Sequence, residues 1–143
     1  IEKRILLLAE KIYSEKKEPI LCHIDAVYSN YLILENGDIK LIDWEYAGMG
    51  YPLLDVAMFG VYANYKPDRM DDLLEIYLER TPTCMEKYEF YSFIALSSYL
   101  WALWTVYKEK HGDTFGDYGR EQFSLAQSYL SLSKKLCLKR TFV

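Results

Sequence analysis

Cysteine and histidine are scarce in this chain, and neither occurs in a pattern that would bind a metal by itself. The 143 residues hold three cysteines, Cys22, Cys84 and Cys137, and two histidines, His23 and His111. The cysteines are odd in number, far apart and without a C-x-x-C pair, which argues against a zinc site or a disulfide framework and for a reducing, cytoplasmic setting. No apolar run approaches the ~18 residues that a membrane span needs. No signal-peptide cleavage pattern follows the opening Ile1-Glu2-Lys3-Arg4-Ile5-Leu6-Leu7-Leu8. Glycine-rich phosphate loops are missing too, since neither G-x-G-x-x-G nor a P-loop pattern occurs. Positive charge is in deficit: 17 Lys and Arg against 21 Asp and Glu leave a net charge of −4. That balance excludes a basic nucleic-acid groove and suits a cationic small-molecule substrate.

Apolar and aromatic residues are abundant. Hydrophobic residues make up 51% of the chain and aromatics 16%, including 14 Tyr and 3 Trp, a composition that excludes disorder and predicts a well-packed globule. By length, residues 1–143 are expected to form one domain. The absence of an initiator Met, with a start inside a helical pattern, leads us to expect a portion of a longer protein.

Helical spacing of apolar residues over 2–16 ends at Pro19. Ile20-Leu21-Cys22 reads as a short buried strand. Tyr31–Leu34 and Ile39–Ile42 flank Glu35-Asn36-Gly37-Asp38, and Asn-Gly between apolar strands is a strong hairpin signal because both residues tolerate positive φ. Ala47–Pro52 reads as a loop. Three- and four-residue spacing then predicts helices over 53–64, 68–80, 84–110 and 118–138, separated by Pro67, Pro82 and His111-Gly112-Asp113. The expected fold is α+β, a mainly helical lobe with a small β-hairpin carrying polar residues at its two ends.

Those polar residues point to chemistry. His23-Ile24-Asp25-Ala26-Val27-Tyr28-Ser29-Asn30 has the H-x-D-x4-N spacing of a kinase catalytic loop, and Asp43 follows at the end of the hairpin. In phosphoryl transfer one Asp orients or takes the proton of the attacking hydroxyl, while an Asn and a second Asp hold magnesium against the phosphates. Magnesium accepts one or two protein carboxylates plus phosphate oxygens, which fits Asn30 and Asp43 as ligands and leaves Asp25 as the base. Asp and Asn also cap turns, and for any one of these positions that plainer role is as good an account. The full set at this spacing, followed by the hairpin, favours a catalytic loop. His23 reads as structural, because no Ser or Cys nucleophile stands at a matching position and His111 lies on a distant loop.

Leu21-Cys22-His23-x-Asp25-x4-Asn30, with Leu41-Ile42-Asp43-Trp44-Glu45-Tyr46-Ala47-Gly48, resembles the choline/ethanolamine kinase family, in the bacterial branch of the aminoglycoside-phosphotransferase-like, protein-kinase-like fold. Asp43-Trp44-Glu45 stands where protein kinases have Asp-Phe-Gly. The resemblance implies that Glu45 helps to hold Mg2+ or its waters, and that Asp55, in Pro52-Leu53-Leu54-Asp55-Val56-Ala57, braces the catalytic-loop backbone together with His23. It extends to Trp101-Ala102-Leu103-Trp104 and to Phe115-Gly116-Asp117-Tyr118. Two Trp on a helix are most often core. In the family, a similar Trp-x-x-Trp cages a quaternary ammonium. Such a group has no N–H to donate and is held by aromatic faces, each contact contributing ~0.5 to ~2 kcal/mol. Trp101, Trp104 and Tyr118 are the implied substrate contacts.

The resemblance departs from the family pattern at Ile24 and Ser29, where the family has a small or polar residue and a Gly. It covers nearly all of this chain but only the C-terminal lobe of the family, without the nucleotide-binding lobe and its strand Lys. It implies ATP as co-substrate, choline as acceptor, and phosphocholine and ADP as products, with this portion alone inactive. Ethanolamine kinase or an aminoglycoside-type kinase are the alternatives within the class. A non-catalytic choline-binding module is the alternative outside it.

Overall fold

Thr83 opens the longest helix through a reciprocal cap. Its Oγ1 accepts a hydrogen bond from Glu86 N (3.2 Å), and Glu86 Oε2 accepts one from Thr83 N (2.8 Å). Two backbone N–H groups that a helix start leaves unpaired are satisfied in this way. The computed structural model describes residues 1–14 and 17–140, and side chains as far as Leu136. The described elements are α1 (Glu2–Ser14), β1 (Ile20–Cys22), β2 (Tyr31–Ile33), β3 (Ile39–Leu41), β4 (Gly48–Gly50), α2 (Pro52–Tyr62), α3 (Pro67–Leu78), α4 (Cys84–Glu109) and α5 (Tyr118–Arg140), with single 3₁₀ turns at Tyr28–Asn30 and Trp44–Tyr46. The result is a helix-rich α+β structure with two small two-stranded antiparallel sheets.

The chain divides into two compact units, one drawn from Ile1–Lys16 and Thr83–Val143, the other Lys17–Pro82. In the helical unit, α4 packs against α1 and α5. Ile5, Leu8 and Ile12 recur at helical spacing and form the buried stripe of α1. The core of α4 and α5 mixes large residues (Tyr88, Phe90, Phe93, Tyr129) with small ones (Ala95, Ser98, Ala102, Ala126). Small residues let the two helices approach closely. At Gly119 an added Cβ would lie only 2.9 Å from Thr105 Cγ2. Two of the buried hydroxyls on α4 turn back onto their own helix, Ser92 Oγ to Tyr88 O (2.6 Å) and Thr105 Oγ1 to Trp101 O (2.9 Å), and so avoid the cost of an unpaired polar group.

The second unit is built from short strands and turns. β2 and β3 form the expected antiparallel hairpin, Tyr31 opposite Leu41 and Ile33 opposite Ile39. Its connection differs in detail from the Asn-Gly expectation. Only Gly37 takes positive φ (+86°), while Leu34 N bonds Asp38 O (2.8 Å) and Gly37 N bonds Leu34 O (2.9 Å). This is a three-residue loop, a turn followed by one left-handed residue, rather than a two-residue turn. Asn36 instead caps the turn, its Oδ1 accepting from Asp38 N (3.1 Å).

The segment expected as a loop at Ala47–Pro52 contains a strand. β4 pairs antiparallel with β1, Ile20 opposite Gly50 and Cys22 opposite Gly48. Gly-Met-Gly carries no strand propensity of its own; pairing with a partner distant in sequence makes it a strand. Gly50 lets the strands approach closely there, since a Cβ would lie 3.0 Å from Cys22 Sγ.

Helix α2 begins at Pro52, whose fixed φ suits the first helical position. It ends where Asn64 turns left-handed (φ +52°), with Tyr65 N bonded to Gly60 O (3.0 Å) and Asn64 N to Val61 O (3.1 Å). That is a Schellman closure, which Asn supports because its short side chain tolerates the left-handed region. α3 lies close against α2, for a Cβ on Gly60 would clash with the buried Met70 Sδ.

Candidate active site

The loop between β1 and β2 is held from three sides within the Lys17–Pro82 unit. Asp55, in the first turn of α2, accepts a hydrogen bond from His23 N at Oδ2 (2.7 Å) and from Ile24 N at Oδ1 (2.8 Å). One carboxylate thereby grips two successive backbone amides. Ile24 is left-handed (φ +70°), a conformation that a β-branched side chain resists at a cost of about 1–3 kcal/mol. Hydrogen bonds to an ionised group contribute about 1.5–3 kcal/mol each, enough for the pair to hold that strain in place.

His23 is buried, and its Nε2 pairs with Ile42 O (2.8 Å). The ring stands edge-on to Trp44 with centroids 4.7 Å apart, and Trp44 Nε1 donates to Leu41 O (2.9 Å). His23 therefore ties the loop to the end of the hairpin, while its Nδ1 has no hydrogen-bond partner among the described residues. The neighbouring Cys22 is fully buried. Burial, and secondarily the Asp55 carboxylate, push its thiol up to about 11, so it remains a neutral packing group at ordinary pH.

Asp25 and Asn30 meet across the loop. Asn30 Nδ2 donates to the Asp25 carbonyl O (2.9 Å) and lies 3.3 Å from Asp25 Oδ2. Asn30 O accepts from Ile42 N (2.9 Å), which sets Asn30 beside the residue that precedes Asp43. Asp43 itself is left-handed (φ +64°, ψ +58°), and both its side chain and that of Glu45, in the 3₁₀ turn that follows, are exposed. A further residue, which sequence reasoning missed, completes the group. Tyr62, at the last position of α2, donates its hydroxyl proton to Asp25 Oδ1 at 2.6 Å. The only sequence signal for it is spacing: Tyr62 follows Asp55 by seven residues, two helical turns, and so shares its face.

The oxygen donors suit a hard cation. The Asn30 nitrogen is spent on Asp25, which leaves its side-chain oxygen as the atom able to face a metal, near the chain position of Asp43 and Glu45. Among the described residues no group of three or more His, Cys, Asp or Glu side chains gathers as a metal cage. An amide oxygen with one or two carboxylates fits magnesium, which keeps waters and phosphate oxygens for most of its shell.

The remaining expected site residues lie in the helical unit. The Trp101 and Trp104 rings meet edge to face, centroids 5.5 Å apart at 80°, and Phe115 adds a third ring 5.0 Å from Trp104. Trp104 is 36% exposed, and Lys108 Nζ sits 5.7 Å above its ring while paired with Asp113 (3.0 Å). Its ring thus attracts an ammonium group within the chain itself. Tyr118, at the start of α5, is partly buried, and that burial raises its phenol above the ordinary tyrosine value. Among the described residues no helix is long and apolar enough to cross a membrane.

Comparison with known proteins identifies relatives of this chain. The LicA protein of Haemophilus influenzae is 35% identical over 120 residues, covering 77% of this chain and 44% of its own length. The crystal structure of choline kinase LicA from Streptococcus pneumoniae superposes with a TM-score of 0.73 at 32% identity, over 90% of this chain and 46% of that one. A structure of LicA in complex with AMP matches with the same TM-score at 28% identity, over 92% of this chain and 45% of the other. The chain therefore spans a little under half the length of these relatives. The family model for choline/ethanolamine kinases matches residues 1–92, which contain the whole Asp25–Asn30–Asp43–Asp55 set and end before the tryptophan pair. The chain belongs to the choline/ethanolamine kinase family.

Proposed function

We propose that the protein of which this chain supplies the C-terminal lobe transfers the γ-phosphoryl group of ATP to the hydroxyl of choline, giving phosphocholine and ADP. The observation that carries this reading is the fixed Asp25 carboxylate, bonded to Tyr62 and paired with Asn30 within one clamped loop. Asp25 receives the acceptor's hydroxyl proton. Asn30 and Asp43, helped by Glu45, hold magnesium, which when bound neutralises charge on the phosphates. Asp55 and His23 keep the loop in place, so that the base need not reorganise during the reaction.

Choline is favoured as acceptor by the Trp101–Trp104–Phe115 cluster, whose faces suit a trimethylammonium, and by likeness to the choline kinase of S. pneumoniae. Ethanolamine is the second reading, supported by the primary ammonium of Lys108 above Trp104. The AMP-bound relative supports an adenine nucleotide as phosphoryl donor. The test is Asp25→Asn in the full-length protein. Turnover is expected to fall about 10²–10⁴-fold, the usual contribution of a positioned base, with ATP affinity kept. Near-normal turnover would remove Asp25 from the reaction.

A further inference from the structure

We propose that Tyr62 is a positioning residue for the phosphoryl-transfer base: its hydroxyl locks one oxygen of Asp25 and leaves the other for the acceptor. This rests on Asp25 acting as the base, as proposed above. At 2.6 Å the Tyr62 hydroxyl lies within the short range of an O–H donor on a carboxylate. Oδ1 is thereby engaged. Among the described residues Oδ2 has only the longer 3.3 Å approach of Asn30 Nδ2, which bonds better to the Asp25 carbonyl at 2.9 Å. Oδ2 is thus the oxygen with lone pairs to spare.

One helix then grips the loop at two levels. Asp55, at the start of α2, fixes the backbone of His23 and Ile24, and Tyr62, at its end, fixes the next side chain. The end of α2 is itself well held, by the Schellman closure at Asn64 and by the packing of Gly60 on Met70. Tyr62 can therefore transmit the position of a rigid helix to the carboxylate.

In the transfer step the acceptor oxygen forms its bond to the γ-phosphorus, and the bond to the bridging oxygen breaks with its electron pair remaining on ADP. The hydroxyl proton passes to Asp25 Oδ2, and Tyr62 keeps its own proton. Without the phenol, Asp25 can rotate, and a misplacement of about 1 Å costs on the order of 10²-fold in rate.

Tyr62→Phe keeps the ring and deletes only the donor. In the full-length protein, single-turnover transfer and steady-state kinetics are measured for Tyr62→Phe, for Asp25→Asn and for the double variant. The expected result is a kcat loss of about 10- to 100-fold in Tyr62→Phe, with KM for ATP and acceptor held within about 2-fold. In the Asp25→Asn background the same change should cost less than about 2-fold, because the carboxylate it positions is gone. Equal losses in both backgrounds, an unchanged kcat, or an effect confined to the acceptor KM would each overturn the proposal. Normal turnover in Asp25→Asn would overturn the base assignment and this inference with it. A crippled Asp25→Asn beside a normal Tyr62→Phe would overturn the inference alone.

Discussion

Between Lys17 and Pro82 four non-glycine residues, Ile24, Asp43, Asn64 and Glu79, take positive φ, whereas the left-handed positions described in the helical unit, Gly112 and Gly116, are both glycine. Asn64 and Glu79 close helices, where such a turn is routine. Ile24 and Asp43 do not; they flank the candidate chemistry. In the helical unit, by contrast, order comes from close helix packing, with Gly119 against Thr105 and small residues along α4. The difference suggests a division of labour. On the proposed function, the loop unit stores local strain, opposed by the Asp55 carboxylate, to fix the base, and the helical unit offers aromatic faces from ordinary packed helices to the acceptor's cation.

The strongest way to break this comparison is to remove the clamp. Asp55→Ala deletes two charge-assisted hydrogen bonds and should lower turnover of the full-length protein about 10²-fold while destabilising it by about 3 kcal/mol. Kinetics and denaturant unfolding measure the two effects, and full activity in Asp55→Ala would show that the loop holds itself. Ile24→Gly sharpens the point, since glycine adopts φ +70° without penalty. Placed in the Asp55→Ala background it should restore part of the lost turnover, and no recovery would mean that strain at Ile24 is not what Asp55 opposes. A smaller effect is expected in the helical unit. Gly119→Ala would press a methyl against Thr105 and cost about 1–3 kcal/mol of stability with kcat unchanged, so a fall in kcat without loss of stability would blur the division.

The parts of the fold legible in the sequence are those whose signals are local. Helical periodicity placed α1 to α5 within a few residues of their observed ends, and the hairpin followed from Asn36-Gly37 between apolar strands. β4 escaped because Gly48-Met49-Gly50 has no strand signal and its partner, β1, is remote in sequence. The order of candidate site residues along the loop was readable from H-x-D-x4-N, since those eight residues are contiguous. Tyr62 was not, being one of 14 tyrosines and 37 residues from Asp25. Nor was the left-handed Ile24, because a β-branched residue gives no hint of positive φ and its bond to Asp55 is made across 31 residues.

The division of labour is tested most directly by the acceptor kinetics of Trp104→Ala, which removes the ring that touches both Trp101 and Phe115. In the full-length protein the account predicts a rise in the KM for choline of roughly 3- to 30-fold, with kcat and the KM for ATP held within about 2-fold. An unchanged choline KM, or equal rises for choline and ATP, would contradict it and return the tryptophans to the role of plain helix packing.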